Sequence, residues 1–137
     1  MRINSDSSRV PMDKDMFIKG RKEFEAKGGK MIQDENGDIY LNARDADAIT
    51  LDEHTIVFRS GSPPTLSEYH EELMHASQFE RGVVSTASMI DREIEVKKEL
   101  IRLQAEYGIS DSENDETKRQ LDGLLKLLKI KGSEYHV

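Results

Sequence analysis

One stretch of the chain carries its own start and stop signals: TLSEYHEELMHASQFERG, residues 65–82. Pro63 and Pro64 precede it, and a proline cannot sit inside a helix without removing a hydrogen bond. Thr65 followed three residues later by Glu68 is a capping-box pattern. Leu66, Leu73, Met74 and Phe79 supply apolar positions, and Gly82 is the stop. A helix fixed in phase at both ends decides which side chains share a face. The rest of the chain must cover its apolar positions and account for its polar ones.

The flanking sequence reads as follows. Residues 1–12 are polar, without periodicity, and read as a flexible tail. A short helix is expected from Asp13 or Asp15, with Met16, Phe17 and Phe24 on one face and Gly28-Gly29 as its end. KMIQ-DENG-DIYL places two apolar segments around Asn36-Gly37, a hairpin signal. Asn42 to Ala48 reads as a short helix or turn. Thr55-Ile56-Val57-Phe58 reads as a third strand, closed by Gly61, Pro63 and Pro64. After the central helix a long one is predicted from Ser88 to Tyr107, stopped by Gly108. Ser110 with Glu113 opens the last, running to Lys131 with Leu121, Leu124, Leu125 and Leu128 at helical spacing. The expectation is an α+β fold, a small antiparallel sheet packed with three main C-terminal helices, in a single domain over 13–137.

Composition narrows the function. With 27 acidic and 20 basic residues the net charge is −7, which argues against a nucleic-acid binder or an anionic membrane surface as partner. No apolar run approaches the ~18 residues that span a bilayer, and the polar N-terminus lacks the apolar core of a signal peptide. Cysteine is absent, so disulfides, zinc ribbons and thiol nucleophiles are excluded. Any metal must be held by His, Asp and Glu. In 137 residues, 36% hydrophobic content predicts a thin, mostly aliphatic core, which a bound metal or partner would stabilise.

The central helix offers such a site. In His-Glu-x-x-His helices, outer ligands four apart project from one face onto zinc, and the Glu beside the first is the general base. Glu71-Glu72-Leu73-Met74-His75 has that spacing with Glu71 in place of the first His. His70 is five before His75; five residues turn a side chain by roughly 140° against roughly 40° for four, so His70 faces elsewhere. Gln78 continues the stripe of Glu71 and His75. The plainer reading is a solvated Glu/His/Gln face. His54 and His136 read as solvated side chains in a loop and a tail.

A third ligand is sought on the next helix. Glu93 has Met89, Ile90, Val96 and Leu100 as helical neighbours, all apolar, whereas those of Glu95 are Asp91, Arg92, Lys98 and Arg102. Glu93 is therefore expected on the buried stripe, where a carboxylate must be paired, protonated or metal-bound. The sequence thus predicts zinc, or another divalent ion, held by Glu71, His75 and Glu93, with Glu72 moving the proton. The alternative for Glu93 is an ion pair with a buried arginine or lysine.

The segments GGKMIQDENGDIYLNARDADAIT, TIVFRSGSPPTLSEYHEELMHASQ and REIEVKKELIRLQAEYGISDSENDETKRQLDGLL resemble the zincin-like metallopeptidase toxin domains. These lie at the C-termini of bacterial polymorphic toxins, including contact-dependent inhibition systems. The resemblance covers about residues 20–128 and is most specific at Glu71-Glu72-x-x-His75-x-x-Gln78. It implies a zincin-like fold and gluzincin-like peptide hydrolysis. It implies a domain translocated as part of a larger toxin into a target-cell cytoplasm, acting on a protein or peptide substrate. A cognate immunity protein is the implied partner. Glu71, His75 and Glu93 then fall at metal-ligand positions and Glu72 at the general-base position. Gln78 orients a ligand, Arg59 or Arg81 steadies substrate, and the strand over 55–58 accepts an extended peptide. The missing first His adds a carboxylate, which hardens the site toward divalent ions other than zinc.

Overall fold

Asp13 starts the first helix, α1 (Lys14–Ala26), by accepting a hydrogen bond from the Met16 amide at 2.9 Å. The computed structural model describes residues 9–85 and 87–135 of the chain. α1 ends at Gly28, whose φ of 87° lies in the left-handed region that glycine enters without strain. Phe17 is buried and Phe24 packs on the same core, but Met16 is exposed, so the apolar face is narrower than predicted.

The segment read as a hairpin folds differently. Lys30–Ile32 forms β1, and then Asp34 caps a helix, α2 (Glu35–Ala43), by accepting from the Gly37 amide at 2.7 Å. A two-residue hairpin turn of the Asn-Gly type needs positive φ at both central residues. Neither Asn36 nor Gly37 has one; they lie in the first turn of α2. Asp45, with φ 52°, redirects the chain after α2 into β2 (Ala48–Asp52), a strand the sequence reading placed nowhere. The true hairpin is β2 with β3 (Thr55–Phe58), turned at Glu53-His54, where the Asp52 carboxylate accepts from the His54 amide at 2.8 Å.

The sheet order is β1-β3-β2, with β1 parallel and β2 antiparallel to β3. It is therefore mixed, not antiparallel as expected. Because β3 is bonded along both edges, it cannot accept a peptide strand; the edge strand beside the next helix is β2. Alternation along β3 divides the core. Ile56 and Phe58 join Met12, Phe17, Met31, Ala48, Tyr69 and Ala76, while Val57 packs with Leu41 and Ala46 of the α2 side. Phe17 meets both Phe58 and Tyr69 edge-on, at 5.9 and 6.1 Å between ring centroids.

The central helix, α3 (Leu66–Glu80), opens with the predicted capping box at Thr65 and Glu68. α4 (Met89–Arg102) is capped by Ser88. The long helix expected to Tyr107 breaks at Leu103, and one further turn, α5 (Gln104–Tyr107), ends at Gly108 with φ 68°. α6 begins at Asp111 with Ser110 accepting from the Glu113 amide, and runs to Tyr135, beyond the predicted Lys131. Val96 and Leu100 of α4 form a third core cluster with Ile109. Met89, read as part of that apolar stripe, is instead exposed at the first turn of α4. The result is an α+β fold with six α-helices among the described residues.

Of the stretch read as a tail, residues 1–8 lie outside the described residues, and 9–12 are attached to the fold. Met12 is buried, and its amide donates to the Pro64 carbonyl at 2.7 Å. The Arg9 guanidinium donates through two nitrogens to the buried Glu68 carboxylate, which also accepts from the Thr65 amide at 3.0 Å. Burial raises the Glu68 pKa, and the Arg9 bond opposes that rise. Breaking a buried ion pair on one side typically costs about 3 kcal/mol or more. Arg9→Ala is expected to lower unfolding free energy by about that amount in denaturant titration. An unchanged midpoint would show that the Arg9 contact contributes nothing.

Candidate functional site

α3 lies between β2 on one side and α4 on the other, and its phase sends consecutive carboxylates to different neighbours. Glu71 and Glu72 are both 0% exposed, and His75 is 6% exposed. Residues one apart on a helix diverge by roughly 100°. Glu72 accordingly meets β2, where Thr50 donates to its Oε1 at 3.0 Å and lies 2.8 Å from its backbone carbonyl. Glu71 and His75, one turn apart, meet α4.

On α4 the chain places Glu93 and, one turn later, Lys97. The Lys97 ammonium, 2% exposed, donates to Glu71 Oε1 and lies 3.9 Å from Glu93 Oε2. The other oxygen of Glu93 is 3.2 Å from His75 Nε2. His75 Nδ1 bonds Gln78 Oε1 at 2.8 Å, and Gln78 Nε2 donates to the Arg92 carbonyl at 3.0 Å. Because the Gln78 amide nitrogen is committed to a carbonyl, its oxygen faces His75, and Nδ1 must carry a proton. Gln78 thus holds the imidazole and ties α3 to the α4 backbone.

Electrostatics follow from this packing. For Glu72, burial comes first and raises the pKa, and the nearby Glu71 and Glu93 charges push it the same way. For His75, burial lowers the pKa, but the bond to Glu93 and the charges of Glu72 and Glu93 outweigh it, so the net shift is upward. For Glu93, burial raises the pKa and is outweighed by the same bond and by the His75 and Lys97 charges; the net shift is downward. The His75–Glu93 contact thus favours a positive charge between the two side chains.

The two rival acids on α4 separate as the apolar stripe predicted. Glu93 faces His75, whereas the Glu95 side chain is 49% exposed and pairs with Arg81 at 2.7 Å, with Gln78 Nε2 3.3 Å away. Lys97 links Glu71 to the His75–Glu93 pair. Among the described residues no three His, Asp or Glu side chains stand as a ready metal-holding group. Arg59 is not brought to the cluster: it donates to Asn42 and to the Ala46 carbonyl and lies 3.7 Å from Asp47, all in the α2–β2 connection. His54 is exposed in the β2–β3 turn, and His136 lies outside the described residues.

Two residues of the cluster escaped the sequence reading. Lys97 had a signal, since it is four residues beyond Glu93 with Ile94, Leu100 and Ile101 around it on the helix. Thr50 had none, because it belongs to the unpredicted β2.

His70, the rival ligand, is used elsewhere. Its ring stacks on Tyr107, with centroids 3.7 Å apart and planes at 4°, locking α3 to α5. Burial lowers its pKa from 6.5 to about 4. The folded state therefore resists protonation where the unfolded chain accepts it. The unfolded state binds more protons between pH 6.5 and about 4, so stability falls as pH drops through that window and levels off below it. His70→Phe, which keeps a ring on Tyr107, is expected to remove this part of the slope in unfolding free energy against pH. An identical slope in the variant would assign the effect to other groups.

A comparison with protein-family models, curated proteins and solved structures finds no match to this chain.

Proposed function

We propose that the chain is a zinc-dependent peptidase of the zincin type, acting as a toxin domain, with His75, Glu93 and Glu71 holding the metal and Glu72 as general base. The observation that carries this reading is the His75–Glu93 contact. Nδ1 of His75 is committed to Gln78, so Nε2 faces Glu93 Oε1 at 3.2 Å as the remaining nitrogen. Positive charge belongs between them: a proton, which the raised His75 pKa favours, or a metal ion that takes the proton's place. Two ligands at about 2.1 Å on one tetrahedral zinc are themselves about 3.4 Å apart. The donor set, one imidazole and carboxylates oriented by a Gln and a Thr, fits a hard or borderline divalent ion.

Zinc bound there would make water more acidic and polarise a peptide carbonyl. The chain's residues supply the rest. Glu71 would complete the ligand set if its carboxylate left Lys97 for the metal. Glu72, whose pKa burial raises, takes a proton from water as the water oxygen attacks the carbonyl carbon, and returns it to the amide nitrogen as the C–N bond breaks. Thr50 holds the Glu72 carboxylate in place for both transfers. The outer edge of β2, the strand that carries Thr50, offers backbone groups along which an extended peptide can pair. The resemblance to polymorphic-toxin domains is what supports delivery into a target cell and neutralisation by an immunity protein.

One observation favours a second reading. The buried Lys97–Glu71 pair balances charge without any metal, as expected of a zincin-like module that binds a protein and hydrolyses nothing. Elemental analysis separates the two. The peptidase reading expects one equivalent of zinc, or of another divalent metal, per chain; no stoichiometric metal leaves the binding module.

Glu93→Gln is expected to lose the metal and Glu95→Gln to keep it. The reverse result would reassign the third ligand. Glu72→Gln is expected to keep fold and metal while peptide hydrolysis falls by about a hundredfold or more. It should also abolish toxicity on expression inside bacteria. Undiminished hydrolysis would remove Glu72 from the mechanism.

A further inference from the structure

Lysine is almost never fully buried unless it is paired. Lys97 is buried, and both carboxylates it approaches belong to the proposed metal site. Its Nζ bonds Glu71 Oε1 and stands 3.9 Å from Glu93 Oε2, while Glu93 Oε1 faces His75. Glu71 is held on the Lys97 side of the cluster.

We propose that Lys97 is a displaceable internal cation: in the metal-free chain its ammonium holds the Glu71 carboxylate, and a metal ion entering between His75, Glu93 and Glu71 takes its place. The inference rests on the zinc reading above and adds to it a residue that no ligand motif contains.

The physical case has three steps. First, Glu71 and Glu93 lie close together in the interior, where neighbouring carboxylates need positive charge nearby. Lys97 provides it without metal. Second, an ammonium on Glu71 Oε1 weakens the pull of that carboxylate on a divalent ion, because like charges repel strongly where water is excluded. Third, the lysine stem is long and flexible, and Nζ can leave Glu71 without moving α4. Lys97 is then a positioning residue: it parks a ligand, and the apparent metal affinity is the intrinsic affinity multiplied by the fraction of molecules in which the ligand is free.

The experiment compares zinc affinity, by competition with a chromophoric chelator, in the unaltered chain and in Lys97→Met. It also follows the Lys97 ¹⁵N ammonium resonance of the unaltered chain as zinc is added. Lys97→Met is expected to bind zinc at least about tenfold more tightly. Without metal it is expected to melt about 10 °C lower, and to recover with zinc. In the unaltered chain the Lys97 resonance is expected to move with one equivalent of zinc. A lysine that merely supports the ligands predicts the opposite, weaker binding once it is removed.

Equal or weaker zinc binding by the folded variant, or an unmoved Lys97 resonance, overturns the inference and leaves the zinc reading standing. If Lys97→Met does not fold, the resonance decides. Zinc binding by neither protein overturns both.

Discussion

Helix α3 buries three carboxylates and an imidazole, Glu68, Glu71, Glu72 and His75, and the fold around it is organised by the need to answer them. A buried charge without partners is far more expensive than any surface ion pair is useful. Each neighbouring segment therefore contributes a partner, and α4 contributes two. The N-terminal segment brings Arg9 to Glu68, β2 brings Thr50 to Glu72, and α4 brings Lys97 to Glu71 and Glu93 to His75. Apolar burial supplies most of the driving force, through Phe17, Ile56, Phe58 and Leu100 among others. Apolar contacts alone leave helix rotation and register loosely set; the polar pairs around α3 admit one arrangement.

This explains which parts of the fold were legible in the sequence. The local signals at α3 and Gly108 were read correctly because a capping box and a left-handed glycine act within a few residues. The choice of Glu93 over Glu95 for the buried face was legible for a similar reason: helical periodicity places each acid among its own neighbours. Asn36-Gly37 was misread because the competing signal, an Asp34 side chain free to cap the next turn, is equally local and prevailed. β2 was missed because AITLD is short and its pairing with β3 is decided by tertiary packing against α3.

Within the candidate site, the α3 side was visible from spacing and the far side was not. Glu71, Glu72, His75 and Gln78 follow from one helix. Lys97 and Thr50 require knowing that α4 and β2 flank that helix. Arg59 illustrates the converse error. With Arg81 it is read as a residue that steadies substrate, a role that helical spacing does not fix. The guanidinium turns toward Asn42 and Ala46 instead.

The same cluster ties stability to chemistry. A carboxylate-rich interior is unstable unless a positive charge enters it, and two such charges are at hand in the proposed reading: an ammonium on α4, or a metal ion from solution. With Lys97 against Glu71, the cluster is balanced and joins α3 to α4 in a chain whose apolar content is modest. With a metal, the same carboxylates would be balanced by a charge that also acts on water and carbonyl oxygen. His75 need not rearrange between these states, because Gln78 and the Arg92 carbonyl hold its ring independently of either cation. Nor need Glu72, which Thr50 of β2 holds. The difference between a structural salt-bridge network and a hydrolytic centre then reduces to which cation Glu71 faces, with the rest of the scaffold common to both.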